Sequence, residues 1–105
     1  MSNQNYRLCA SLLKSLAHPT RLEILEILKN QDGELCVCDI YEKLELEQSN
    51  VSQHLKVLKD QGILTSRKEG LMVFYKVSHL EIYVILEKVK LILQKQLQES
   101  LSHLL

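Results

Sequence analysis

At 105 residues the chain has room for one domain, spanning 1–105, with a real core and little space for a second. Its composition is 46% hydrophobic and 25% charged, with one proline and three glycines, which is that of a globular, mostly helical protein. No run of 18 apolar residues exists to span a membrane, and Met1–Arg7 lacks a signal peptide's apolar core, so a cytoplasmic location is expected. Net charge is zero but unevenly spread: residues 34–47 carry five acids against Lys43, whereas residues 48–78 carry five bases against Asp60 and Glu69. Positive charge therefore gathers in one stretch, where a phosphate backbone can be met.

The first helix is expected over 4–16, with Leu8, Leu12 and Leu16 on one face. Ala17-His18-Pro19 ends it, because the residue before proline avoids helical angles, and Pro19 then opens a second helix to about Lys29. Asn30-Gln31-Asp32-Gly33 is a turn. A short third helix runs from Cys36 or Val37 to Leu44, and Glu45-Leu46-Glu47 connects it tightly to a fourth over 49–61. Helix, three-residue turn and helix form the helix-turn-helix pattern.

In the fourth helix Val51, Leu55 and Leu58 make the apolar face, with Ser49 expected as N-cap and Gly62 as the residue beyond its C-terminus. Its other face presents Asn50, Ser52, Gln53, His54 and Lys56, polar side chains of the kind that base edges in a major groove require. Ser49, Asn50, Ser52, Gln53, His54 and Lys56 are the candidate DNA-reading residues. After Gly62 the residues become β-formers, and 63–68 and 71–77 read as a β-hairpin turning at Glu69-Gly70. A hairpin directly after a reading helix is a wing, and Arg67 and Lys68 are its candidate phosphate contacts.

Ser78-His79-Leu80-Glu81 has the form of a capping box, opening a last helix over about 79–98. Ile82, Ile85, Leu86, Val89, Leu93 and Leu97 repeat along one side of it. That much apolar surface exceeds what a small core covers. A homodimer through the first and last helices is expected, its two-fold symmetry matching a palindromic double-stranded operator. The fold class is mainly α with a small β-hairpin, in the order ααααββα.

Cys9, Cys36 and Cys38 are an odd set without a secretory signal, which argues for reduced thiols with a chemical use. Thiolates are soft ligands that favour As(III), Sb(III), Cd(II) or Pb(II) over hard cations, and three of them neutralise a trivalent metalloid. If both lay within one regular helix, Cys36 and Cys38 would point roughly 200° apart and not face a single ion. No cysteine is paired with a recognisable base and no glycine-rich phosphate loop exists, so no enzyme and no organic cofactor are expected.

Three stretches, Leu16–Leu25, Glu34–Ile40 and Ser49–Leu58, together with the order of elements, strongly resemble the ArsR/SmtB family of winged-helix transcriptional repressors. The resemblance implies a homodimer whose operator is read by 49–61 and released when metal or metalloid binds. Cys36 and Cys38 match the thiolate site of its arsenic- and cadmium/lead-sensing members, with Cys9 the candidate third thiolate. The family's zinc-type site on the last helix is not matched, since that helix holds only His79 and His103. A thiol redox or persulfide sensor of the same fold is the alternative.

Overall fold

The computed structural model describes residues 2–30 and 33–104. Its elements run α1 (Asn3–Leu16), α2 (Pro19–Lys29), β1 (Glu34–Cys36), α3 (Val37–Leu44), α4 (Gln48–Asp60), β2 (Leu64–Glu69), β3 (Met72–Val77) and α5 (Glu81–Leu104). The apolar faces of α2, α3 and α4 close on one another: Ile24, Leu25, Leu28, Ile40, Val51, Leu55 and Leu58 are fully buried. Leu16, Ile63, Leu64 and Ile82 complete this core from its edges. The expected turn over 30–33 lies partly outside the described residues, as does Leu105.

Local chemistry sets most of the boundaries. Ser2 caps α1 by accepting from the Asn5 amide. His18 is the extended N-cap of α2, its Nδ1 accepting from the Thr20 amide, and Pro19 is the first helical residue. Glu45 joins α3 to α4 in the left-handed region at φ 56°, a conformation a non-glycine residue adopts at a cost of about 1 kcal/mol. α4 ends in a Schellman motif: Gly62, at φ 76°, donates to the Lys59 carbonyl, and Ile63 donates to that of Leu58.

Four expectations are corrected here. The N-cap of α4 is Glu47, two residues ahead of the expected Ser49. The capping box at Ser78 does not form; Ser78 Oγ is buried without a hydrogen-bond partner, and α5 is entered through bonds from Ile82 to His79 and Tyr83 to Leu80. The hairpin also has a third strand. β1 pairs antiparallel with β3, Glu34 opposite Lys76 and Cys36 opposite Phe74, giving the sheet order β1-β3-β2. Glu69 pairs with Met72, so the wing turns at Gly70-Leu71, with Gly70 at φ 63°.

α5 is longer than expected and projects from the body. At 24 residues it is about 36 Å long. The radius of gyration, 16.2 Å, exceeds the roughly 13 Å of a compact chain of this size because of that arm. Only its first turns meet the core, through Ile82, Tyr83 and Leu86. Tyr83 donates to the Leu25 carbonyl at 3.0 Å. Beyond them Val89, Ile92, Leu93, Leu97 and Leu101 are exposed. Among the described residues no helix is long and apolar enough to cross a membrane.

A polar clasp orients α4 on α2. Arg21 Nε donates to His54 Nδ1 at 3.1 Å, Arg21 also donates to the Ser15 carbonyl at 3.0 Å, and the His18 and His54 rings lie 4.3 Å apart. Burial, and then the neighbouring His18 and Arg21 charges, hold the His54 pKa below its ordinary 6.5. The native state therefore keeps His54 neutral, as an acceptor must be, while the unfolded chain takes up a proton below pH 6.5. Stability from the clasp is complete above that pH and is lost as pH falls towards the folded value. Urea unfolding at pH 7.5 and 5.5 is expected to show a drop in midpoint that shrinks in His54→Gln; equal drops in both proteins would contradict the clasp.

Candidate nucleic-acid interface and thiol site

Helical geometry divides α4 cleanly. At about 100° per residue, Ser49, Ser52, Gln53 and Lys56 share one face, and all four are exposed. Asn50, also exposed, flanks it. Val51, Leu55 and Leu58 occupy the opposite side and are buried. Lys56 pairs with Asp60 at 2.8 Å, an exposed pair of small energetic worth that phosphate can replace. His54, also in the expected reading set, is half-buried, with its Nδ1 engaged by Arg21 and its ring packed against His18.

In the wing, Arg67 and Lys68 have different surroundings. Arg67 is held on both sides, donating to Glu34 at 2.7 Å and to Glu69 at 2.7 Å, with its guanidinium 4.5 Å above the Phe74 ring. Its hydrogen bonds hold the Glu34 carboxyl below its usual range. Lys68, beside the turn, is exposed. Arg67 thus ties the wing to β1, and Lys68 and Lys76 are further exposed cations of the wing.

β1 leads straight into α3, and the thiols lie at that joint. Cys36 ends the strand and is also the N-cap of α3, with extended backbone at φ −77° and ψ 156°. The rule that helical residues two apart diverge therefore does not apply, because only Cys38 is helical. The Cys36 and Cys38 sulfurs meet at 2.6 Å, and both are free thiols. Asp39 completes the group: one ligand atom from each of Cys36, Cys38 and Asp39 lies within 4.8 Å of the others. Burial, followed by the contact with Cys38, pushes the Cys36 thiol up to about 11. Cys9 is exposed on α1, outside this group.

A donor set of two sulfurs and one carboxylate suits a thiophilic ion and suits Mg²⁺ or Ca²⁺ poorly. Sequence reasoning missed Asp39 as a donor, although it follows Cys38 directly. It also missed Arg21 as the partner of His54, because 33 residues separate them. The thiols line a cleft of about 330 Å³ whose other walls include Gln48 and Ser52 of α4 and Leu71–Val73 of the wing. Thiol site and candidate DNA-contacting elements thus share one cleft.

Known proteins share this sequence pattern and fold. Residues 18–66 match the family described as bacterial regulatory protein, arsR family. An arsenical resistance operon repressor of Staphylococcus aureus is 35% identical over 88 residues, which are 84% of this chain and 83% of the relative. The solved structure of Rv0081 from Mycobacterium tuberculosis superposes with a TM-score of 0.81 at 32% identity, covering 95% of this chain and 99% of that one. That of HlyU from Vibrio cholerae superposes with a TM-score of 0.73 at 39% identity, covering 84% and 94%. The chain belongs to the arsR family and is a winged helix-turn-helix transcriptional regulator, not an enzyme.

Proposed function

We propose that the chain is a homodimeric repressor that binds double-stranded operator DNA and releases it when a soft metal or metalloid, As(III) or Sb(III) before Cd(II) or Pb(II), binds at Cys36 and Cys38. The observation that carries the reading is the meeting of the two sulfurs at the β1–α3 joint. Coordination there requires both thiols to shed their protons, which changes charge and geometry at the residue paired with Phe74 of the wing. Cys9 enters the ligand set only if the assembly or α1 brings it to the site.

Dimerisation is supported by apolar surface that one copy leaves exposed. Leu8 and Leu13 on α1 and Val89, Ile92, Leu93 and Leu97 on α5 are each about half or more exposed, and Leu13, Val89 and Leu93 line one apolar groove, the kind of surface that marks an interface. Two copies joined there present two α4 helices, the requirement for reading successive major grooves.

Gln53→Ala is expected to weaken operator binding by about 1–3 kcal/mol, the worth of a bidentate base contact. Lys68→Ala is expected to weaken binding to all sequences and reduce the salt-dependence slope by about one. Fluorescence anisotropy with operator and scrambled duplexes at several salt concentrations separates the two, and a Gln53→Ala loss equal on both duplexes would remove Gln53 from the readers. In the same assay Cys36→Ser should bind operator like the parent protein. It should also need at least about tenfold more arsenite for release, the scale of loss on disturbing a metal site; unchanged release would defeat the proposal.

A second reading, a sensor of oxidants or persulfides, is favoured by the same juxtaposition of two free thiols. Intact-mass measurement after peroxide or polysulfide, set beside operator release by arsenite, distinguishes the two.

A further inference from the structure

The clasp between α2 and α4 fixes where two protons sit. The Arg21 Nε and the Thr20 amide are donors, so the atoms that receive them, His54 Nδ1 and His18 Nδ1, each present a lone pair. A neutral imidazole carries one N–H, which in both rings is therefore on Nε2. A metal ion on either Nε2 would drive that proton to Nδ1 and break the bond there, so the pair is not a cation site. The rings lie 4.3 Å apart, and both Nε2–H donors belong to one small patch. His18 is exposed, and His54 Nε2 reaches solvent although its ring is half-buried. Among the described residues neither donor has a protein partner.

The patch has a definite place on α4. Gln48 and Ser52 turn towards the wing, lining a cleft with its residues Leu71–Val73. At about 100° per residue, His54 lies about 200° around the helix from Ser52. The exposed residues Ser49, Gln53 and Lys56 fall between these two edges. A helix seated in a major groove has a sugar–phosphate strand along either side. The wing flanks one of those sides, and His18 and His54 flank the other. Arg21 adds positive charge there, since its two partners, His54 and the Ser15 carbonyl, do not neutralise it.

We propose that His18 and His54 form a phosphate clamp: their Nε2–H groups donate to the oxygens of one operator phosphate, on the strand opposite the one the wing meets. This rests on the DNA-binding reading above and specifies atoms that meet the backbone. Two neutral donors backed by a guanidinium suit a phosphodiester, which offers acceptors and a single negative charge. His54 then reads no base. It sets the register of α4 in the groove, and it does so rigidly, because Arg21 holds the nitrogen that the phosphate does not use. His18, on α2, gives the operator a contact outside the helix-turn-helix and the wing.

His18→Asn tests the clamp, because asparagine caps a helix through its side-chain oxygen and so removes the Nε2–H while keeping the start of α2. Anisotropy at pH 7.5 on operator and scrambled duplexes is expected to show binding weakened about three- to tenfold, the scale of one lost hydrogen bond. The loss should be equal on both duplexes, since a phosphate contact carries no sequence information. The salt-dependence slope should stay that of the parent, because a neutral donor displaces no counterion. Phosphate-ethylation interference on the parent protein gives a reading that does not depend on the variant's folding. Interfering phosphates should lie along both sides of the groove, those of one side losing their effect in Lys68→Ala and those of the other in His18→Asn. Parental affinity in His18→Asn, a loss confined to the operator, or interference along the wing's side alone would overturn the clamp while leaving DNA binding intact. A parent protein that binds neither duplex would overturn both.

Discussion

The backbone at Cys36 is the constraint on which the rest depends. Because this residue is extended, it ends a strand and caps a helix with nothing between. That one choice of φ and ψ registers β1 on the wing, starts α3 at Val37 and turns the Cys36 sulfur onto Cys38. Had Cys36 been the first helical residue, the thiols would have diverged and β1 would have lost its last pairing. The site is a by-product of a strand-to-helix junction and is as rigid as the two elements that meet there.

The elements around the joint are tied to it by contacts of different strength. Cys36 faces Phe74 across the β1–β3 ladder, and Arg67 lies over Phe74 while gripping Glu34. The backbone pairing is the firm part; the ion pair is exposed and contributes little alone. α3 and α4 share the core through Ile40, Val51 and Leu55, so a shift of α3 is felt at α4 through close-packed side chains with no slack. The Arg21–His54 clasp holds the other flank of α4 to α2. On the proposed function, the reading helix is thus held between a fixed anchor and a movable one.

Much of this was legible in the sequence, and most of the misses come from partners distant in the chain. Helices α1, α2, α4 and α5 announce themselves by apolar periodicity and by local signals such as Pro19 and Gly62, which depend only on near neighbours. β1 does not, since three residues are too few to show a period and its existence depends on β3, some forty positions later. The same holds for the polar side chains. His54 belongs to the polar side of its helix by spacing, but Arg21 draws it inward; Arg67 reads as a free cation until Glu34 is brought beside it. The capping box at Ser78 fails for the opposite reason: the chain enters α5 through a tighter turn, and a correct local pattern is overruled by where β3 ends. The thiol pair itself was legible as chemistry, whereas its geometry followed only from the junction.

The central claim is that filling the Cys36–Cys38 site is what frees the operator. Titrating a trivalent arsenical into the preformed protein–operator complex, while following As–S absorption and DNA anisotropy in the same cuvette, tests it directly. The account predicts that the two signals move together, with DNA leaving in proportion to the As–S bonds formed. As–S bonds that saturate while the operator stays bound would contradict it.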